Sequence, residues 1–305
     1  MTEAHSTDSR PILPLPAVDD AEGDNLPQGL PPVVDAHVHI FPDRLFAAVW
    51  GWFDVHGWPI RYRMGAEDVL TFLLDRGVSH VVALQYAHCP GIADTLNGFM
   101  ARICKGLDGV TGLATVFPGE PGTAGILENA FRDGLAGVKL HAHVQCFAID
   151  GPEMAEVYSV CQANGKPLLM HVGREPKSDA YRCDPHAFCR VDLVAAVLQR
   201  YPRLKVCVPH LGADEFAEYQ RLLAVHDNLW LDTTMTLADY LPIAAPVPAL
   251  TRFRADRLMF GTDFPNIPYA WDREIRKLAA MGLEERFLPG LLGLNAAEFY
   301  GFSLG

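Results

Sequence analysis

Val33-Val34-Asp35-Ala36-His37-Val38-His39-Ile40-Phe41-Pro42 is the stretch whose reading decides the fold. Apolar, largely β-branched residues alternate here with polar ones, the pattern of a strand with two unlike faces. Strict alternation predicts that Asp35, His37 and His39 all point to one side. Two imidazoles at i and i+2 lie only ~7 Å apart on one face, close enough to converge on one cation. Pro42 has no N–H to donate and is predicted to end the strand.

The wider composition narrows the classes. The chain has 305 residues, enough for one large α/β barrel of ~250 residues as a single domain. With 25 basic against 37 acidic residues the net charge is −12, which argues against nucleic acid or an anionic membrane surface as partner. No apolar run approaches the ~20 residues of a membrane span, and residues 1–31 lack the blocks of a secretory signal. Seven cysteines with no Cys-x-x-Cys predict free thiols, Cys183 and Cys189 included. A reducing, cytoplasmic setting fits that usage. Residues 1–31 are polar, acidic and Pro-rich, and are predicted to be a disordered or extended tail, with the domain spanning 32–305.

Beyond Pro42 the chain departs from a simple strand-to-helix turn. Leu45, Phe46, Val49, Trp50 and Phe53 form a helical stripe, and Trp58, Arg61, Tyr62 and Arg63 follow. An aromatic, arginine-bearing insertion over 43–65 is a candidate lid or substrate clamp, and its apolar surface a candidate homodimer face. Thereafter apolar strands alternate with helices: strands at 80–84, 110–117, 137–141, 167–171, 205–210, 229–232 and 257–261, the last after a Pro-rich connection from Leu237 to Phe253. Eight buried strands alternating with helices predict a closed (β/α)8 TIM barrel with an insertion after the first strand. An open doubly wound sheet is the competing fold, but the glycine-rich phosphate loop it usually carries after the first strand is missing.

Polar residues recur at the C-terminal ends of these strands: His37 and His39, then Lys139, His141 and His143, then His171, His210 and Asp263. In a barrel all of those ends meet at one rim, where active sites of this architecture lie. Counted as ligands, His37, His39, His171 and Asp263 supply three imidazole nitrogens and a carboxylate, suited to zinc first, with manganese, iron or cobalt as other divalent choices. His210 is assigned as a base positioning a metal-activated water, ahead of a role as ligand to a second metal. Lys139 pairs with an anion or, carbamylated, bridges two metals; His141 and His143 contact substrate or face solvent.

The motifs Asp-Ala-His-Val-His-Ile-Phe-Pro (35–42), Gly-Val-Lys-Leu-His (137–141), Met-His-Val-Gly (170–173), Pro-His-Leu-Gly (209–212) and Gly-Thr-Asp-Phe-Pro (261–265) come in an order that resembles the amidohydrolase superfamily. The nearest branch is the amidohydrolase-related group with the aminocarboxymuconate-semialdehyde decarboxylase-like enzymes, and the likeness covers about residues 33–303. It implies a metal-dependent barrel acting on small molecules, with ligands His37, His39, His171 and Asp263 and with His210 as acid/base. In the decarboxylase-like enzymes an Arg after the first strand meets a substrate carboxylate, a place that Arg61 and Arg63 resemble.

The function expected is hydrolysis of a small amide, lactone or ester by metal-activated water, with His210 and Asp263 sharing the proton. Non-oxidative decarboxylation of a carboxylated ring or dienoic acid is the alternative, and a catalytically inactive binding barrel the third. Arg61, Arg63, Lys139, His141 and Arg174 are expected to bind the substrate. The four cations among them would make a positive funnel for a carboxylate. The competing expectation is that they pair with Asp43, Asp54, Glu175 or Asp179 in loop salt bridges.

Overall fold

Eight short parallel strands alternate with helices in the computed structural model, which describes residues 17–174, 178–240, 251 and 254–304. The strands are β1 (Val34–His39), β2 (His80–Leu84), β3 (Val110–Gly112), β4 (Val138–His141), β5 (Leu168–His171), β6 (Val206–Val208), β7 (Leu229–Asp232) and β8 (Leu258–Met259). They pair in the orders β1-β2-β3 and β4-β5-β6-β7-β8. Backbone hydrogen bonds join the two groups on both sides. Ala114 N donates to Gly137 O and Lys139 N to Ala114 O, each at 2.8 Å, between β3 and β4. Beside β8, Ala36 N donates to Phe260 O at 2.9 Å and His39 N to Phe264 O at 2.7 Å. The chain is the TIM barrel expected. Most of the connection expected at 237–253, residues 1–16 of the tail, Glu175 and Pro176 lie outside the described residues.

The helices around the strands are α1 (Asp43–His56), α2 (Ala66–Asp75), α3 (Ala93–Cys104), α4 (Thr123–Arg132), the single turn α5 (Ala142–Gln145), α6 (Ala155–Ala163), α7 (Val191–Arg200), α8 (Phe216–Val225), α9 (Arg273–Ala280) and α10 (Asn295–Tyr300). Helix α3 shows why they form: Ala93, Leu96, Asn97 and Met100 are its buried residues, spaced i, i+3, i+4 and i+7 along one face. Asn97 belongs in that stripe because its amide is satisfied on both sides. Its Nδ2 donates to Thr115 O at 2.9 Å and its Oδ1 accepts from Thr115 N at 2.8 Å, which ties α3 to the chain beyond β3. No helix among the described residues is long and apolar enough to cross a membrane.

Two apolar clusters divide the interior. The larger lies between strands and helices and includes Val38, Val81, Leu140, Met170 and Val208. The smaller holds Val34, Ala36, Val82, Leu113, Leu169, Cys207, Trp230 and Met259, joined by Phe299 and Tyr300 of α10. That split reveals a departure from strict alternation in β1, since Val34 and Ala36 belong to one cluster and Val38 to the other. The register explains it. Val34 and Asp35 pair with His80 and Val81, but Val38 and His39 pair with Ala83 and Leu84, so β1 carries one residue more than its neighbour. Asp35 therefore does not join His37 and His39 as alternation predicts. Thr262 holds its carboxylate instead, through Oγ1 at 2.6 Å and the backbone N at 3.1 Å.

Residues 17–31 have no helix or strand, yet they are tied down at many points. Trp271 Nε1 donates to Gly23 O and Gly23 N to Asp272 Oδ2, both at 2.9 Å. Leu26 N donates to Arg76 O at 3.0 Å, and Leu26 and Leu30 pack on the core. Removing residues 1–28 is expected to cost at least about 2 kcal/mol relative to removing 1–16, from several hydrogen bonds worth ~1 kcal/mol each. Equal thermal unfolding midpoints for the two truncations would show that the segment contributes nothing.

His80 supplies a second test. Its ring stacks on Phe302 with centroids 3.8 Å apart, and its Nε2 meets Thr111 Oγ1 at 2.8 Å. Burial lowers its pKa from 6.5 to about 4. The unfolded chain then binds a proton before the folded one does, so stability is to fall as pH drops from 6.5 towards 4. Denaturant titrations across that window should show a shallower slope for His80→Gln; an unchanged slope would assign the pH dependence to other groups.

Candidate metal centre and active site

The extra residue in β1 turns His37 and His39 towards the chain that follows β8. There Asp263 adopts a left-handed backbone, φ 71°, which aims its carboxylate back at the histidines. His39 Nε2 lies 3.1 Å and His37 Nε2 3.4 Å from Asp263 Oδ1. Gly261 allows this approach, since a Cβ there would come within 2.8 Å of His37 Cβ and 2.7 Å of Thr234 Oγ1.

Each group is held in the protonation state of a metal ligand. Burial lowers the pKa of His37 to about 4, with nearby Lys139 adding to the effect. Burial likewise lowers His39. Burial alone would raise the Asp263 carboxyl, but pairing and a hydrogen bond with His39, followed by His37 and His210, hold it well below the ordinary carboxylate range. Two neutral imidazoles and an anionic carboxylate are what a divalent ion needs.

Asp232, at the end of β7, orients His37. Its Oδ2 lies 3.0 Å from His37 Nδ1, and despite burial its pairing with His37 holds its pKa at about 2. We assign the imidazole proton to Nδ1, donating to Asp232, which leaves Nε2 a lone pair facing Asp263. Beneath Asp232, the Cys207 thiol donates to Oδ2 at 3.8 Å. Lys139 Nζ approaches from β4, 3.2 Å from His37 Nε2. Asp35 completes the surroundings, its pKa raised by burial to about 7.

The donor set fits a divalent cation. One nitrogen from each of His37 and His39 and an oxygen of Asp263 lie within 4.8 Å of one another. Ligand atoms ~2.0–2.1 Å from a tetrahedral centre are about 3.4 Å apart, and the two imidazole–carboxylate separations are 3.1 and 3.4 Å. His39 Nδ1 is also buried without a hydrogen bond among the described residues.

His171 is not drawn into that group. Its Nδ1 lies 3.4 Å from His210 Nε2, because β5 and the turn after β6 bring these two rings together. His210 stands in a turn after β6, with φ 54°, and not in the strand as expected. Its Nδ1 meets Thr234 O at 2.9 Å, which assigns the proton to Nδ1 and leaves Nε2 as the basic nitrogen. His141 is buried and stacks on His171, centroids 3.9 Å apart and planes within 9°. His143 is buried too, its Nε2 3.2 Å from Gly173 O and 3.4 Å from Cys189 Sγ.

The remaining expected substrate contacts are not brought to this centre. Arg61 Nη1 donates to Asp20 O at 2.6 Å and Nη2 pairs with Glu22 at 3.0 Å, so the N-terminal segment holds it. Arg63 pairs with Asp54 of α1, and Arg174 Nε lies 3.3 Å from Glu215 Oε1. Loop salt bridges have replaced the positive funnel expected of these arginines. The free-thiol expectation for Cys183 is corrected as well: it forms a disulfide with Cys146, Cα atoms 6.0 Å apart. Cys146 ends α5 in a left-handed conformation, φ 55°, beside the loop that follows β5.

A cavity of about 510 Å³ adjoins the centre. Phe41, Leu45, Val49, Trp52 and Phe53 form one wall, so the stripe of the insertion serves as a cavity wall. His141, His143 and Tyr86 lie on the side towards the centre, and Tyr86 meets His39 edge-on at 5.9 Å. Tyr181 and Arg182 also line it, Tyr181 meeting His143 edge-on at 5.6 Å. Sequence reasoning missed Asp232, Tyr86, Tyr181 and Arg182. Only Asp232 carried a signal there, an acid ending a buried apolar strand.

Comparison with known proteins places this geometry in a family. The chain is similar to 5-carboxyvanillate decarboxylase of Sphingomonas paucimobilis, at 15% identity over 89% of this chain and 99% of that one, TM-score 0.63. The Novosphingobium aromaticivorans 5-carboxyvanillate decarboxylase, solved with manganese and 4-hydroxy-3-methoxy-5-nitrobenzoic acid, gives TM-score 0.67 at 15% identity over 94% and 99% of the two chains. A Pseudomonas putida protein bearing the provisional name 2-pyrone-4,6-dicarboxylic acid hydrolase gives 0.64 at 20% over 90% and 98%. No curated protein matches the chain. The family model described as amidohydrolase matches residues 34–302, nearly the whole barrel, and the chain belongs to that family.

Proposed function

We propose that this chain is a metal-dependent hydrolase acting on a small amide, lactone or ester. The observation that carries the reading is the convergence of His37, His39 and Asp263 beside His210, whose tautomer is set by Thr234. His37, His39 and Asp263 would hold a divalent cation; zinc suits two nitrogens and an oxygen, and the manganese of the Novosphingobium structure makes that ion an equal candidate. When bound, the cation supplies Lewis acidity that acidifies water and polarises a carbonyl. His210 Nε2 takes the proton from the attacking water and returns it to the leaving group, while the Thr234 carbonyl holds the His210 ring through Nδ1. Asp232 holds His37 so that its Nε2 faces the centre.

One observation favours a second reading. The aromatic wall of the cavity suits a flat ring, and similar structures include decarboxylases of such a compound. Decarboxylation would use the same residues, with His210 delivering a proton to carbon in place of taking one from water. Product analysis in ¹⁸O-labelled water separates the two: the label enters a hydrolysis product, whereas release of CO2 without label in the organic product would overturn the hydrolase reading.

His39→Ala and Asp263→Asn are expected to lose bound metal and turnover together, and His141→Ala to keep its metal. Elemental analysis of the purified proteins checks this; a His39→Ala protein with full metal content would remove His39 from the ligand set. For His210→Asn the expectation is a loss of about 10²–10⁴ in kcat at unchanged metal content. A kcat within a few-fold of the unaltered enzyme would exclude His210 as the base.

A further inference from the structure

We propose that Arg182 is the specificity-determining residue of the cavity, gripping the anionic end of a flat substrate whose apolar body lies against the aromatic wall. The inference rests on reading the cavity as the seat of the substrate, and its basis is a charge asymmetry. The chain carries 37 acidic residues, yet no carboxylate lines the cavity among the described residues, whereas a guanidinium does. The other polar groups there are the imidazoles of His56, His88, His141 and His143 and the hydroxyls of Tyr86 and Tyr181. A cavity of this make-up sets no negative charge against the anionic end of an aromatic or conjugated acid.

Arg182 also differs from the arginines that the rim motifs suggested. Arg61, Arg63 and Arg174 are each neutralised by a carboxylate, Glu22, Asp54 and Glu215. Arg182 is exposed and has no carboxylate partner among the described residues. Its planar fork is suited to a bidentate hold on a carboxylate.

Position reinforces charge. The next residue, Cys183, is joined to Cys146 at the end of α5, the turn that carries His143. The backbone at Arg182 is thus tied covalently to the wall of the cavity, which reduces the ordering that binding has to impose. The preceding residue, Tyr181, lies near-parallel to Trp52 of α1, centroids 5.8 Å apart and planes at 21°. Tyr181 thereby carries the aromatic wall up to the guanidinium, so that a flat ring lying on that wall presents an acid group at its end to Arg182.

Isothermal titration of the full-length protein with 2-naphthoate and with 2-naphthamide tests this without requiring turnover. The acid is expected to bind roughly ten-fold or more tightly than the amide, as a charge-assisted contact implies. Arg182→Gln should abolish that preference and leave 2-naphthamide affinity unchanged. A preference retained in Arg182→Gln would place the anion elsewhere, on a bound metal included, and overturn the proposal. So would equal affinity for the two probes, or no binding of either, in the unaltered protein. Because the readout is binding, a chain that shows the preference but no metal-dependent turnover would refute the hydrolase reading alone. Turnover with no preference would refute this inference alone.

Discussion

The hydrogen bonds between β1 and the chain leaving β8 are the constraint on which the rest depends. Ala36 donates to Phe260, Asp263 donates to His37, and His39 donates to Phe264. These bonds satisfy backbone groups that would otherwise be buried without partners, and so they close the ring of strands. The same bonds bring a carboxylate to two imidazoles that precede it by 224 and 226 positions in the chain. Closure of the fold and assembly of the centre are one event.

What closure brings together would be costly without further support. Asp263, His37 and His39 are buried or nearly so, and a buried ionised group needs a partner of opposite charge or strong hydrogen bonds. Asp232 and Lys139 flank His37 with charges of opposite sign. Thr262 satisfies Asp35, and Thr234 satisfies His210. Backbone strain gathers at the same place: His210, Leu211, Ala213, Met235 and Asp263 all have positive φ without being glycine. Such residues persist only where the surroundings over-determine them, which is the condition for holding ligands at fixed positions.

Around this rigid centre, segments that are not strands supply the surface. Helix α1 gives an aromatic wall, and the disulfide-tied loop after β5 lines the same cavity. The segment 17–31 wraps Arg61 and packs beside α9, so the insertion and the N-terminal segment brace one another. At the rim, Arg61, Arg63 and Arg174 are taken up in ion pairs. Most arginines there serve the architecture, because an ion pair with a neighbouring loop is available to each.

The alternation of apolar strands with helices, and the polar residues ending those strands, determined the barrel and the rim from sequence alone. Both are local properties: a strand buried on two faces must be apolar throughout, and a polar residue at its end must lie where it can be satisfied. His37, His39 and Asp263 were legible for that reason, and so was His210 as a member of the same rim. The tertiary structure alone decided which of these residues meet. Whether His171 turns to Asp263 or to His210 depends on the turn after β6, and the parity of β1 on a single extra residue that no periodicity displays. The fate of the arginines was beyond the sequence for a similar reason. A guanidinium on a long side chain takes whichever carboxylate the folded loops bring near, and Glu22, Asp54 and Glu215 stand 39, 9 and 41 positions from the arginines they hold. The Cys146–Cys183 pair spans 37 positions and was hidden equally, since only folding brings two distant sulfurs within bonding range.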